Sequence, residues 1–564
     1  MAYLNAETNL RTHVVENQPH TLEQTNAFLS DIALREALSR EGADWAFDRM
    51  VKLGADVADP DNIHKATLAN RFPPELKRFD PYGRRIDTVE FHPAWHDIMA
   101  LAWRHELPTL PWRHDRPGAH VAKAAASILF NQLEGGVMCP FAITYGIIPM
   151  LRQQPELAAV WERLMLSTEY DPRPRPHYEK RGATVAFSVT EKQGGSDVRG
   201  VSTEAKPIGQ AGPGREYLLR GHKWFCSAAG ADVIFIVAQT AQGLGCFLVP
   251  RWLDDGSRNP ISIERLKDKL GNKSNASAEL ELENTHGWLI GEEGRGIQTM
   301  MMFMLYTRFE VALAPVGIMR LGLTHALHHV QHRSAFQRRL IDQPLMRNVL
   351  ADLAIESEAA TTLVMRIARA FDAASINDSE RSFGRLAVAI AKYWLNKQVV
   401  PFIHEAMEVH GGIGYIEESV IPRFYREAPI NGIWEGAGNV ISLDVLRALR
   451  KDKGTLTAFF DEIEVVRGAD RHMDAAVLDL KSLLGAPLAD DQARYITEKM
   501  ALALQASLLI RHAPSAVTDA FCATRLSGRG AQAFGTLPNG VDIDTILSRA
   551  LPDRKSSFAV RPQV

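Results

Sequence analysis

Residues 423–443 read RFYREAPINGIWEGAGNVISL, a short run that joins an acid, a flexible backbone and a return to helix. Glu435 stands between Trp434 and the sequence Gly436-Ala437-Gly438, so its carboxylate meets an apolar wall on one side and bare backbone on the other. Desolvation disfavours a charged carboxylate, and a Glu lifted toward neutrality can act as a general base near working pH. The competing reading is a solvated loop acid that follows a helix cap. Which of the two holds depends on what surrounds this run in the rest of the chain.

At 564 residues the chain exceeds what one hydrophobic core supports, so several domains are expected. A hydrophobic fraction of 46% with 23% charged residues places it among ordinary globular proteins. The net charge of -3 argues against a general polyanion binder and leaves room for a local basic face. Cys139, Cys226, Cys246 and Cys522 are scattered without a CxxC pair and read as reduced thiols of a cytoplasmic protein, serving as small apolar filler. The longest apolar runs, TMMMFMLY at 299–306 and VIFIVA at 233–238, fall short of the roughly 20 residues a membrane helix needs. No membrane segment is expected.

Hydrophobic periodicity divides the chain. Residues 1–30 are polar and irregular, an arm suited to packing on a neighbouring subunit, with Ser30 as the expected cap of the first helix. Residues 31–181 are mostly helical and are interrupted by proline clusters. From 182 to 291 the period becomes strand-like, in ATVAFSV, EYLLRGHKWFCS, VIFIVAQT, GCFLVPRWL and SAELELEN, which predicts an antiparallel β domain. Helical period returns over 292–450, where Leu353, Ala360, Val364, Ile367 and Phe371 mark the apolar stripe of a bundle helix. A further helical region occupies 451–564. The fold class is α+β. Neither GxGxxG after a strand nor GxxxxGK[ST] is present, so any nucleotide is held another way.

Several constellations carry potential chemistry. In FSVTEKQGGSDV (187–198) a strand ends in Thr190-Glu191 and gives way to glycines and a hydroxyl, the composition of an anion-binding turn or of a capped glycine turn. In GHKWFCS (221–227), Trp224 and Phe225 either stack on a planar ring or fill a sheet core. The run from Arg333 to Phe336 and the glycine run GGIGY (411–415) follow helices. His325, His328, His329 and His332 stand at helical spacing, but no acidic third ligand is nearby, so solvent-facing or ligand-adjacent histidines are preferred to a metal site. Arg447, Arg450 and Lys451 share one helix face. Beyond residue 510, Arg511, Arg525, Arg529, Arg549, Arg554, Lys555 and Arg561 outnumber Asp519, Asp542, Asp544 and Asp553. Such a surplus is commonly a solvated surface.

In this order and spacing, VTEKQGGSD, GHKWF, KLGNKSNAS, GEEGRG, ADL, MEVHGGIGY and YRE before IWEGAGN resemble the acyl-CoA dehydrogenase flavoprotein family from about residue 90 to 450. The form KQGGSD, the arm ENQPHTLEQTNAFLSD, FHPAWH and the extra C-terminal helices look like that family's alkylation-response branch. The resemblance implies FAD as cofactor and a homotetramer. Thr190, Gly195 and Ser196 would contact flavin and pyrophosphate, and Trp224, Phe225 and Cys226 would lie along the flavin. Arg333, Gly411 and Gly412 would reach the FAD of a neighbouring subunit. Glu435 would be the base, flanked by Trp434, Gly436, Gly438 and Asn439 in the cofactor-binding set. The position where some members carry the base instead is Thr307 here, which makes the adjacent Arg308 a candidate for holding the active-site loop.

Two departures from the family's pattern are visible: Phe336-Gln337 replaces Phe-Gly, and Pro344 with Gln343 beside it replaces the Gln that meets the adenine. The resemblance further implies a short or branched acyl-CoA substrate and double-stranded DNA on Arg447, Arg450, Lys451 and Arg525, in a response to DNA alkylation. The alternative is a metabolic acyl-CoA dehydrogenase with no DNA role. No metal and no membrane partner are expected.

Overall fold

Asp31, rather than Ser30, caps the first helix, Ile32–Arg40: its carboxylate accepts the Leu34 N–H at 3.1 Å. Leu34, Ala37 and Leu38 are its buried stripe, the i, i+3, i+4 face that makes an amphipathic helix stable only when packed. The computed structural model describes residues 12–22, 26–528 and 533–551. Arg529, Asp553, Arg554, Lys555 and Arg561 lie outside the described residues.

The chain forms two compact units. The first draws on Met1–Asn62, Arg116–Leu133 and Val311–Val564; the second on Ile63–Asp115 and Glu134–Glu310.

The first unit is helical. Its long helices are Pro344–Ala373, Asp378–His410 and Ala493–His512. Leu353, Ala360, Val364 and Ile367 are fully buried, and the Leu, Val and Ile side chains each contribute roughly 1.5–3 kcal/mol by leaving water. Asn377 caps the second of these helices by accepting the N–H groups of Ser379 and Glu380. Asp372 accepts the His120 and Val121 N–H groups and so closes the N-terminus of Ala119–Phe130. The helices after residue 451 join the same unit through buried charge. Arg366 forks between Glu380 (2.8 Å) and Glu462 (2.6 Å), Arg525 meets Asp352 (2.5 Å), and Arg549 meets Glu358 (2.9 Å).

The second unit holds the sheet. A hairpin, β1 (Glu75–Phe79) and β2 (Arg85–Glu90), lies inside the region read as helical. Its strands are short and charged, and Arg78 and Arg85 anchor it by pairing with Glu264. The main sheet comprises β3 (Val185–Ser188), β4 (Glu204–Pro207), β5 (Glu216–Cys226), β6 (Val233–Thr240), β7 (Gly243–Pro250), β8 (Ile261–Leu266) and β9 (Ala278–Ile290). Its order is β3-β6-β4-β5-β9-β7, with β8 on β9 and a further β6–β7 pairing. The antiparallel expectation holds for most pairs, but β3 and β4 both run parallel to β6, because long connections rather than hairpins bring them there. Tyr217, Leu219, Ile234, Phe247 and Leu280 fill one core of this sheet.

The helix Gly296–His332 is long and apolar enough to cross a membrane by length and composition, and 67% of that apolar window is buried inside the protein. The two-residue strands β10 (Ser334–Ala335) and β11 (Arg338–Arg339) follow it.

Candidate active site

On the sheet side the turn after β3 is built around Glu191. The Glu191 carboxylate is buried and accepts from the Ser202 N–H and hydroxyl (both 2.7 Å), the Thr203 N–H (3.0 Å) and hydroxyl (2.5 Å), and Lys223 Nζ (2.6 Å). Burial would raise this acid, but the Lys223 ammonium and the hydroxyl donors outweigh it and hold the carboxyl well below the usual range. Lys223 is pushed down to about 8 by its own burial, so both partners are charged at neutral pH.

The turn's outer face is what Glu191 stabilises. The Trp224 N–H donates to the Thr190 carbonyl at 2.8 Å, so the end of β3 and the aromatic pair of β5 are held together. A Cβ on Gly195 would stand 2.4 Å from Thr190 Oγ1, so only glycine lets the backbone approach that hydroxyl. Ser196 is exposed, Thr190 and Trp224 are half-buried, and Phe225 is 45% exposed. Lys267 Nζ lies 3.2 Å from the Trp224 ring centroid, a cation–π contact on one face of the indole. Cys226 does not join this surface: its thiol is fully buried in the sheet core, and burial pushes it up to about 12. Backbone donors, a hydroxyl and an exposed aromatic edge fit a flavin nucleotide, which needs phosphate partners and a flat neighbour.

On the helical side the loop before the helix Gly438–Lys451 carries Glu435. The residue is half-buried and left-handed at φ +57°, followed by Gly436 at φ +106°. A non-glycine residue in this region costs about 1–2 kcal/mol and persists where its surroundings over-determine it. The surroundings are polar: Lys392, buried in the helix Asp378–His410, donates to the Gly436 carbonyl at 2.6 Å and to the Asn431 carbonyl at 3.4 Å. The Trp434 indole N–H donates to Asn431 Oδ1, and Arg494 donates to Asn439 Oδ1 at 2.7 Å. Sequence reading overlooked Lys392; its only sign is a lysine within an apolar helical stripe. Arg308 is buried in the second unit, and the neighbouring Thr307 hydroxyl turns back to its own helix carbonyls at Phe303 and Met304.

The segment after the long helix makes a tight hairpin. Ala335 pairs with Arg338, and the two connecting residues, Phe336 and Gln337, have φ of +53° and +64°. This is the doubly left-handed geometry for which Asn-Gly is the usual choice. Gln343 donates to the Ala335 carbonyl at 3.0 Å, so its amide nitrogen braces the hairpin. Gly411 caps its helix at φ +62°, whereas a Cβ on Gly412 would meet nothing within 4 Å among the described residues. Packing within the chain therefore does not require glycine at 412.

Other expected features fall elsewhere. His325 and His329 are pushed down to about 3 and 4, by burial first and then by His410. Among the described residues no group of three or more His, Cys, Asp or Glu side chains is placed to hold a metal. Arg525 is buried between Asp352 and Glu356, so it cannot present its charge to a phosphate backbone. Arg447 pairs with Asp444 and Arg450 with Asp490, while Lys451 is exposed at the helix end. A pocket lined by Asp31, Arg320, Glu358 and Arg549 contains none of the site residues.

The turn on the β domain is compatible with a flavin, and the loop on the helical unit carries a left-handed glutamate. The chain matches the acyl-CoA dehydrogenase middle domain over residues 186–285 and the acyl-CoA dehydrogenase C-terminal domain over 294–450. It also matches the adaptive response protein AidB N-terminal domain over residues 17–172. The AidB protein of Escherichia coli (strain K12) is 43% identical over 522 residues, 92% of this chain and 95% of its own. Acyl-CoA dehydrogenase family member 11 of Caenorhabditis elegans is 30% identical over 487 residues, 80% of this chain and 78% of its own. The crystal structure of Caenorhabditis elegans ACDH-11 in complex with C11-CoA aligns with a TM-score of 0.82 at 27% identity, covering 93% of each chain. The chain belongs to the acyl-CoA dehydrogenase family, among its AidB-like members, and is an FAD-dependent oxidoreductase.

Proposed function

We propose that this protein dehydrogenates a short or branched acyl-CoA, with Glu435 as the general base that takes the proton α to the thioester. The observation that carries this reading is Glu435 itself: half-buried, left-handed, and set in a loop whose carbonyls a buried ammonium holds. Bound FAD would supply the acceptor for the hydride of the β carbon. The chain's residues do the rest: Glu435 accepts the proton, and Lys392 and Asn431 fix the loop that carries it. A positioned base contributes about 10²–10⁴-fold. Thr190, Gly195, Ser196, Trp224 and Phe225 would hold the flavin and its pyrophosphate.

Arg333 and Gly412 are assigned to the FAD of a neighbouring subunit, which makes a homotetramer part of the reading. The complex of ACDH-11 with C11-CoA supports an acyl-CoA as the ligand class. The four buried free thiols agree with a cytoplasmic setting.

The second reading, protection of double-stranded DNA from alkylation, is supported by the AidB-like N-terminal match and by the relative of that name. Its candidate contacts reduce to Arg447, Arg450 and Lys451, of which the two arginines already face carboxylates. Two assays on FAD-loaded protein separate the readings: anaerobic bleaching of the flavin by short and branched acyl-CoA, and a DNA mobility shift at low and moderate salt. Bleaching establishes the dehydrogenase. A shift that weakens steeply with salt, without bleaching, favours DNA protection, because phosphate contacts release counterions. Absence of both removes both.

A further inference from the structure

The described part of the N-terminal arm closes on the hairpin that carries Arg333. Asn17 is an exposed residue in the left-handed region at φ +56°, a conformation that asparagine tolerates better than most side chains. From there it makes three bonds to two adjacent residues. Its Nδ2 donates to the Ser334 carbonyl at 2.8 Å, its Oδ1 accepts the Ser334 N–H at 2.7 Å, and its own carbonyl accepts from Arg333 Nη1 at 2.7 Å. The amide thus serves β10 as a strand neighbour would, saturating both backbone groups of one residue. A second fastening lies three residues on, where His328 Nε2 donates to the His20 carbonyl at 2.7 Å.

What this clasp secures is a hairpin that is poor on its own. It has two residues per strand, a doubly left-handed turn without glycine, and Phe336 94% exposed at its tip. A hairpin of that size is not stable in isolation. Leu340 N–H to the Arg333 carbonyl and Gln343 to the Ala335 carbonyl brace one side; the arm braces the other. A guanidinium offers five N–H donors in a rigid fork. Fixing one of them on Asn17 sets the plane in which the remainder point.

We propose that the arm is a cofactor-positioning strap: the Asn17 side chain clamps the arm to β10, which keeps the Asn17 main-chain carbonyl on the Arg333 guanidinium and so orients that guanidinium for FAD. This inference rests on the assignment of Arg333 to FAD made above. Asn17 is a positioning residue, since it acts through Arg333. Its exposure means that substitution leaves the folded core intact.

The test is a double-mutant cycle on the full chain, reading FAD dissociation constants by fluorescence together with the melting temperature of the FAD-free protein. Asn17→Ala is expected to weaken FAD about three- to tenfold, the scale of one or two lost hydrogen bonds, with the FAD-free melting temperature unchanged. In an Arg333→Met background, which is itself weakened, Asn17→Ala should add nothing. Asn17→Asp retains the acceptor for the Ser334 N–H and should fall between the two. Wild-type FAD affinity in Asn17→Ala beside a weakened Arg333→Met overturns the strap while leaving the functional reading intact. So does an equal loss in both backgrounds. Wild-type affinity in Arg333→Met instead overturns the assignment of that arginine, and the strap falls with it.

Discussion

The two site-bearing regions are anchored by buried charges of opposite sign. On the sheet side an anion, Glu191, gathers donors from the adjacent Ser202 and Thr203 and from one lysine. On the helical side a cation, Lys392, gathers carbonyls from the loop that carries Glu435. In the first, carboxylate and ammonium meet directly, at 2.6 Å. In the second, the ammonium holds the carbonyls of a loop that contains a left-handed glutamate. On the proposed reading, the sheet-side anchor serves stability and the helical-side anchor serves the placement of the base. Buried charge is tolerated in both places because each ion is surrounded by partners.

The sharpest test of that division is Glu435→Gln. It should lower flavin bleaching by acyl-CoA by about 10²–10⁴-fold while FAD binding and the melting temperature stay near wild type. Next in size, Glu191→Gln strands the Lys223 charge and should destabilise the sheet unit by about 3–5 kcal/mol in denaturant unfolding. Pairing it with Lys223→Met should recover part of that loss. Lys392→Met should cost about 1–3 kcal/mol through unsatisfied carbonyls, and should lower kcat more than it raises KM. If instead Glu191→Gln struck catalysis and Lys392→Met struck only stability, the comparison would be inverted.

Acidification reaches both sides, through Glu191 on the sheet and through buried histidines on the helices. His325 and His329 have folded values of about 3 and 4, below the ordinary 6.5, so the unfolded chain binds more protons between these limits. Stability is full above about 6.5 and declines as pH falls toward 3. A scan of melting temperature against pH should show this, with a shallower decline in His329→Gln. The smallest effect is a gain: Gln337→Gly relieves one left-handed residue and should stabilise by up to about 1 kcal/mol in the same unfolding assay.

Much of this was legible in the sequence. Periodicity located the helices, the β region and the return to helix, and the ordered motifs identified the family and its cofactor. What escaped depended on partners distant in sequence. Nothing near Arg525 announces Asp352 and Glu356, so a basic residue counted toward a surface proved to be interior. Cys226 follows two aromatics in a strand whose register shifts between Lys223 and Cys226, and a bulge of that kind changes which face a side chain takes. The β1–β2 hairpin is too polar to register as strands, being completed by ion pairs with β8. Asn17 meets Ser334 across a separation of 317 residues.

The ion pairs that tie the last helices to the bundle also restrict how the protein can be dissected. Ending the chain after residue 451 would delete Glu462, Arg525 and Arg549 together, leaving Asp352, Glu356 and Glu358 as bare carboxylates in an apolar interior and Arg366 with half its fork. A shortened protein that fails to bind DNA would then report collapse rather than a missing surface. Charge-reversal of single exposed residues, Lys451 first among them, is the experiment that leaves the scaffold standing.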